Sequence, residues 1–177
     1  MNKSTLSLEV LSKYINSYFV ETGTQYGYAI DLALNLNFEK IYSIELDMIL
    51  QEQNIQKFKT YIESGQVNLI TGDSLTELTT LIPILDKPAT FWLDAHVDNG
   101  PMGTKRCPLY EELDTIASSS IKTHTIIIDD LRIIGNGGWG KGISVNELMR
   151  RILDINPAYK IVKENGYTTD DILVAYM

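Results

Sequence analysis

Five short apolar runs, each closing on a carboxylate and each followed by a stretch with helical spacing, constrain this chain more than any other feature. The runs are Tyr18-Phe19-Val20, Lys40 to Leu46, Val67 to Ile70, Thr90 to Leu93 and Thr125 to Ile128. Between them, apolar residues recur every three or four positions. Examples are Ala29, Ile30, Ala33 and Leu34, and then Ile55, Phe58 and Ile62, with Gly65 just past the helix end. Strict alternation of strand and helix predicts right-handed βαβ units and a parallel sheet covered on both faces.

The end of the chain breaks the pattern. Only about eight residues, 164–171, separate the apolar runs Tyr159 to Lys163 and Ile172 to Tyr176, whereas a parallel crossover needs roughly a dozen or more. These two strands are expected to form an antiparallel end, making seven strands in all. Other local signals complete the outline. A short N-terminal helix in residues 1–16 carries Leu6, Val10, Leu11, Tyr14 and Ile15, apolar positions that serve either the core or a homodimer. One helix is expected from Met48 to Ile62. Pro108 opens another. Ser144 with Glu147 reads as a capping box. No repeat or linker divides the 177 residues, so one domain is expected.

Composition excludes several functions. Lys and Arg total 15 against 23 Asp and Glu, a net charge of −8, which argues against duplex nucleic acid as a partner. No apolar run is long enough to span a bilayer. Cys107 is the single cysteine, and no basic-then-apolar leader precedes the helix, so a reducing cytoplasm is the expected location.

In open α/β sheets, ligands bind outside the carboxyl ends of the strands. Here the strand ends deliver Glu21; Glu45 and Asp47; Asp73; Asp94 and His96; and Asp129 and Asp130. One such acid can be a helix N-cap. Five converging ends concentrate negative charge, which costs free energy unless a cation sits among them. The turn Glu21-Thr22-Gly23-Thr24-Gln25-Tyr26-Gly27 resembles a nucleotide-binding glycine turn, but its glycines are four apart and an acid precedes them. A pyrophosphate is disfavoured beside Glu21; a sulfonium carrying an α-amino group is not. Glu45 is spaced to accept ribose hydroxyls, and Asp73-Ser74 falls where an adenine amino group would arrive.

These residues resemble class I S-adenosylmethionine (SAM)-dependent methyltransferases. The closer likeness is to metal-dependent O-methyltransferases of the macrocin O-methyltransferase type, through Phe91-Trp92-Leu93-Asp94-Ala95-His96 and Ile126-Ile127-Ile128-Asp129-Asp130. The turn departs from that family at Gln25, where the middle glycine stands. The resemblance implies an α/β, Rossmann-like, doubly wound seven-stranded sheet, order 3-2-1-4-5-7-6, with the last strand antiparallel. It implies SAM bound by Glu21, Thr22, Gly23, Thr24, Gly27, Glu45, Asp73, Ser74 and Asp94. It also implies one divalent cation, Mg²⁺, held by Asp94, Asp129 and Asp130. Hard carboxylate oxygens suit such an ion. His96, two residues past Asp94, is a candidate base that takes a proton from a hydroxyl acceptor, a small molecule or sugar. The loops 97–107 and 133–143 are expected to select that acceptor, with Trp139 in a closing lid. Two alternatives stand beside this: a non-catalytic cofactor-binding module, and metal-independent transfer to nitrogen or protein.

Overall fold

The computed structural model describes residues 5–96 and 107–177. Seven strands form one sheet: β1 (Tyr18–Thr22), β2 (Lys40–Glu45), β3 (Val67–Thr71), β4 (Ala89–Leu93), β5 (Thr125–Ile128), β6 (Lys160–Glu164) and β7 (Ile172–Tyr176). Their order is β3-β2-β1-β4-β5-β7-β6. The neighbours from β3 through β5 are parallel, and β7 runs antiparallel to both β5 and β6. The expected order and the antiparallel ending are both present.

Side chains alternate across this sheet and build two cores. On one face, Val20, Ile44, Phe91, Ile126 and Ile128 pack with α5 (Ser74–Leu81), α6 (Leu109–Ala117) and α7 (Val145–Ile155). On the other, Phe19, Ile41, Trp92, Ile127 and Val174 pack with α1 (Leu8–Ser12) and α2 (Tyr28–Leu34). Leu6, Val10, Leu11 and Tyr14 are buried in this second core, so the apolar face of the N-terminal segment serves the fold; Leu8 and Ile15 remain exposed. Among the described residues, no helix is long and apolar enough to cross a membrane.

Three local expectations are revised. The helix expected over Met48 to Ile62 is two helices, α3 (Met48–Lys57) and α4 (Lys59–Glu63). Phe58 leaves the helical region between them, φ −102° and ψ 16°, and its buried ring fills the space beside Gly27. The helix expected from Tyr26 begins at Tyr28, with Gly27 left-handed at its N-cap. The capping box does not form: the Ser144 side chain caps nothing, and Glu147 pairs instead with Arg150 and Arg151. Two guanidiniums outcompete one backbone N–H for that carboxylate.

Candidate active site

The first turn joins three strand ends. Gly23, at φ 87°, donates its N–H to the Ile44 carbonyl at 2.9 Å. A Cβ on Gly23 would lie 2.6 Å from the Asp94 carbonyl oxygen, so bare backbone is required where β1 and β4 end. Gln25 also adopts positive φ, 49°. The cost of that conformation in a non-glycine residue is offset by two contacts: its N–H donates to Glu45 at 2.7 Å, and its carbonyl accepts from the Asn54 amide at 2.8 Å. The other Glu45 oxygen accepts from the Asp47 N–H at 2.9 Å. Each carboxylate oxygen keeps a further lone pair for a ligand hydroxyl.

Alternation sends Glu21 to the α2 face and Thr22 to the α5–α6 face. Glu21 is buried and receives the Ser43 hydroxyl at 2.5 Å; the Thr24 hydroxyl lies 2.6 Å from that of Ser43. Burial pushes the Glu21 carboxyl up to about 8, against the pull of Ser43 and with a further push from the Glu45 charge. Asp73 caps α5, accepting from the Leu75 N–H at 3.0 Å, and Asp47 caps α3. These two acids therefore serve as helix N-caps, which Glu21, Glu45 and Asp94 do not.

Glu112 was not singled out in the sequence. It is fully buried on α6, and burial raises its pKa to about 7. The Ser74 and Thr22 hydroxyls lie near enough to moderate that rise, yet among the described residues neither Glu112 oxygen has a partner in good hydrogen-bonding geometry. Its signal was its place on the apolar stripe Leu109, Leu113 and Ile116.

Beyond β4 and β5 lies the densest charge cluster. The His96 ring stands between two carboxylates, Nδ1 3.3 Å from Asp94 and Nε2 3.1 Å from Asp130. Ligand atoms of Asp94, His96 and Asp130 all lie within 4.8 Å of one another, as do those of Asp129, Asp130 and Asp171. Asp130 sits at φ 60° and pairs with Arg132, which also holds Asp171 at 2.5 Å. One Asp129 oxygen accepts the Thr5 hydroxyl; the other, Oδ1, is buried without a partner among the described residues. Burial and then the charges of Asp129 and Asp130 hold the Asp94 carboxyl well above the usual range. Burial also raises Asp129, to about 7. Among the described residues, an excess of buried acid over local cation and an orphaned carboxylate oxygen both fit a bound cation. Thr5, Arg132 and Asp171 escaped the sequence reading because only the tertiary fold brings them here.

Trp139 closes this end. Its ring stacks on His96, centroids 3.6 Å apart and planes 16° apart. It is 4% exposed and belongs to the first core, so it anchors the glycine-rich loop against the cluster. A Cβ on Gly140 would lie 2.4 Å from the Ile133 carbonyl, which keeps the loop closed on itself. A cleft of about 400 Å³ beside it is lined by Cys107, Tyr110, Trp139 and Lys141. Of the expected acceptor loop 97–107, all but Cys107 lies outside the described residues. His124 is remote: buried, it accepts the Ala89 N–H through Nδ1 and stays neutral, its pKa lowered by burial to about 4.

No family model and no curated protein matches the chain. Solved structures do. An O-methyltransferase from Bacillus cereus in complex with SAH is 14% identical, with a TM-score of 0.64 over 96% of this chain and 78% of that one. The O-methyltransferase TomG from Streptomyces achromogenes, in complex with SAM, is 16% identical, with a TM-score of 0.62 over 96% and 77%. The fold is the Rossmann-like fold of methyltransferases. Spermidine synthase from Thermotoga maritima shares it at 12% identity and a TM-score of 0.59, over 91% of this chain and 54% of that one.

Proposed function

We propose that the chain is a SAM-dependent methyltransferase acting on a hydroxyl of a small molecule or sugar. The observation that carries this reading is the bare Gly23 backbone pressed against Asp94, with buried Glu21 beneath it and Glu45 beside it. A cofactor with a cationic amino acid end and a ribose suits that set of acceptors. The SAH and SAM complexes of two neighbours with the same fold support it.

Bound SAM would supply an electrophilic methyl group to the acceptor oxygen, with its sulfur leaving as a neutral thioether, and the acceptor's proton would pass to His96. The sulfonium supplies the reactivity, so positioning is the protein's main contribution. Gly23 and Glu45 fix the cofactor. The cleft beside Trp139 admits the acceptor. Asp94, Asp129 and Asp130 would hold a divalent cation, which acts as a Lewis acid that lowers the acceptor's pKa. His96 is the neighbouring proton acceptor in this reading, once one of its two carboxylate contacts opens.

A metal-independent reading is favoured by one observation: Arg132 and His96 already face Asp130. Calorimetry with SAM and SAH, followed by single-turnover transfer of labelled methyl to a panel of polyols and phenols, tests the proposal. Saturable binding with transfer to oxygen supports it. No cofactor binding overturns it, and transfer to nitrogen overturns the hydroxyl assignment.

A further inference from the structure

We infer that Glu112 is a positioning residue of the cofactor site: it turns the Ser74 and Thr22 hydroxyls into acceptors, so that the site favours an adenine amino group over a ring carbonyl. This rests on the methyltransferase reading above and names what sets the base preference of that site.

Glu112 stands where an apolar side chain would pack. Leu109, Leu113 and Ile116 on α6 are buried with it and belong to the first core. Among the described residues, its two buried oxygens have neither a hydrogen-bond donor in good geometry nor a cation beside them. The charge of Asp73 acts on it with like sign, and Glu112 in turn acts on Asp94. A carboxyl so placed costs the fold free energy. What it has within reach are the Thr22 hydroxyl at the end of β1 and the Ser74 hydroxyl at the start of α5.

A hydroxyl carries one proton and two lone pairs, and a carboxylate only accepts. Each hydroxyl that turns its proton to Glu112 therefore shows only lone pairs elsewhere. For Thr22, one of these faces the Asp94 N–H at 3.4 Å, which links α6 to the ends of β1 and β4. Ser74, beside Asp73, is left to accept an N–H from a ligand. Adenine offers an amino group at position 6. Hypoxanthine has a carbonyl oxygen there, which would meet a second acceptor with no proton between them.

Calorimetry at pH 8, above the value of about 7 to which burial raises Glu112, compares SAH with its deaminated analogue, S-inosylhomocysteine. Wild type should bind SAH roughly 10-fold or more tighter than the analogue, and Glu112→Gln and Glu112→Leu should each cut that preference roughly 5-fold or more. Ser74→Ala should cut it as far, and adding Glu112→Leu to Ser74→Ala should change it no further. Thermal unfolding checks each variant, and Glu112→Gln, which keeps the size and shape of the side chain, carries the test if Glu112→Leu does not fold. A structural role would weaken both ligands by the same factor. A preference that the Glu112 variants leave unmoved, no preference in wild type, or additive effects in the double variant each overturns the inference while leaving the cofactor reading in place. Wild type that binds neither ligand overturns both.

Discussion

Gly23 and Asp94 touch backbone to backbone: a Cβ on Gly23 would lie 2.6 Å from the Asp94 carbonyl oxygen, and Gly23 sits at φ 87°. Neither the conformation nor the space admits a side chain. Gly23→Ala is expected to cost about 2 kcal/mol of stability and to weaken SAH binding by roughly 10-fold or more. Gly65 is the control. It also has positive φ, 77°, but its missing Cβ would meet nothing within 4 Å. Gly65→Ala should cost about 1 kcal/mol and leave SAH affinity unchanged. Thermal unfolding and calorimetry read both effects, and equal SAH affinity in the two variants would falsify the cradle.

Glu45 ties the first turn to the end of β2 through the N–H groups of Gln25 and Asp47. Glu45→Gln replaces one acceptor oxygen with a donor. SAH affinity should fall roughly 10-fold, with a smaller loss of stability, about 1 kcal/mol. Unchanged calorimetric affinity removes Glu45 from the ribose.

Glu21 titrates near about 8 in the fold, chiefly through burial, against about 4.3 in an unfolded chain. The folded protein therefore holds this proton more tightly. The stability it contributes is fully present below about pH 4.3 and is lost as the pH rises through about 8. Glu112 and Asp129, both raised to about 7, act in the same direction. The unfolding temperature should decline from pH 5 to pH 9, and Glu21→Gln should flatten that decline. A wild-type profile that rises over this window contradicts the burial of these acids.

Trp139 is buried and stacked on His96. Trp139→Ala should cost about 3 kcal/mol. Trp139→Phe, which keeps a ring, should retain the fold and SAH affinity while lowering methyl transfer. Unaltered turnover in Trp139→Phe would show that the indole plays no part beyond packing.

The sheet was readable in the sequence because its signals are local. Each apolar run ends on an acid, and the eight residues between the last two strands are too few for a crossover. The glycine turn was readable for the same reason, since positive φ leaves a residue-type mark. What escaped depends on distant partners. The helix break at Phe58 exists to fill the space beside Gly27. The expected capping box at Ser144 lost Glu147 to Arg150 and Arg151. Arg132 meets Asp171 across 39 positions, and Thr5 meets Asp129 across 124. Trp139 was expected in a lid, because a ring between glycines looks mobile until the core that receives it is seen.

Titration of the wild-type protein with SAM tests most directly whether the converging acids and the Gly23 turn form a cofactor site. One molecule should bind per chain with micromolar or tighter affinity, and Gly23→Ala should abolish or greatly weaken that binding. No saturable heat with SAM or SAH, from protein whose unfolding is cooperative, would contradict the account.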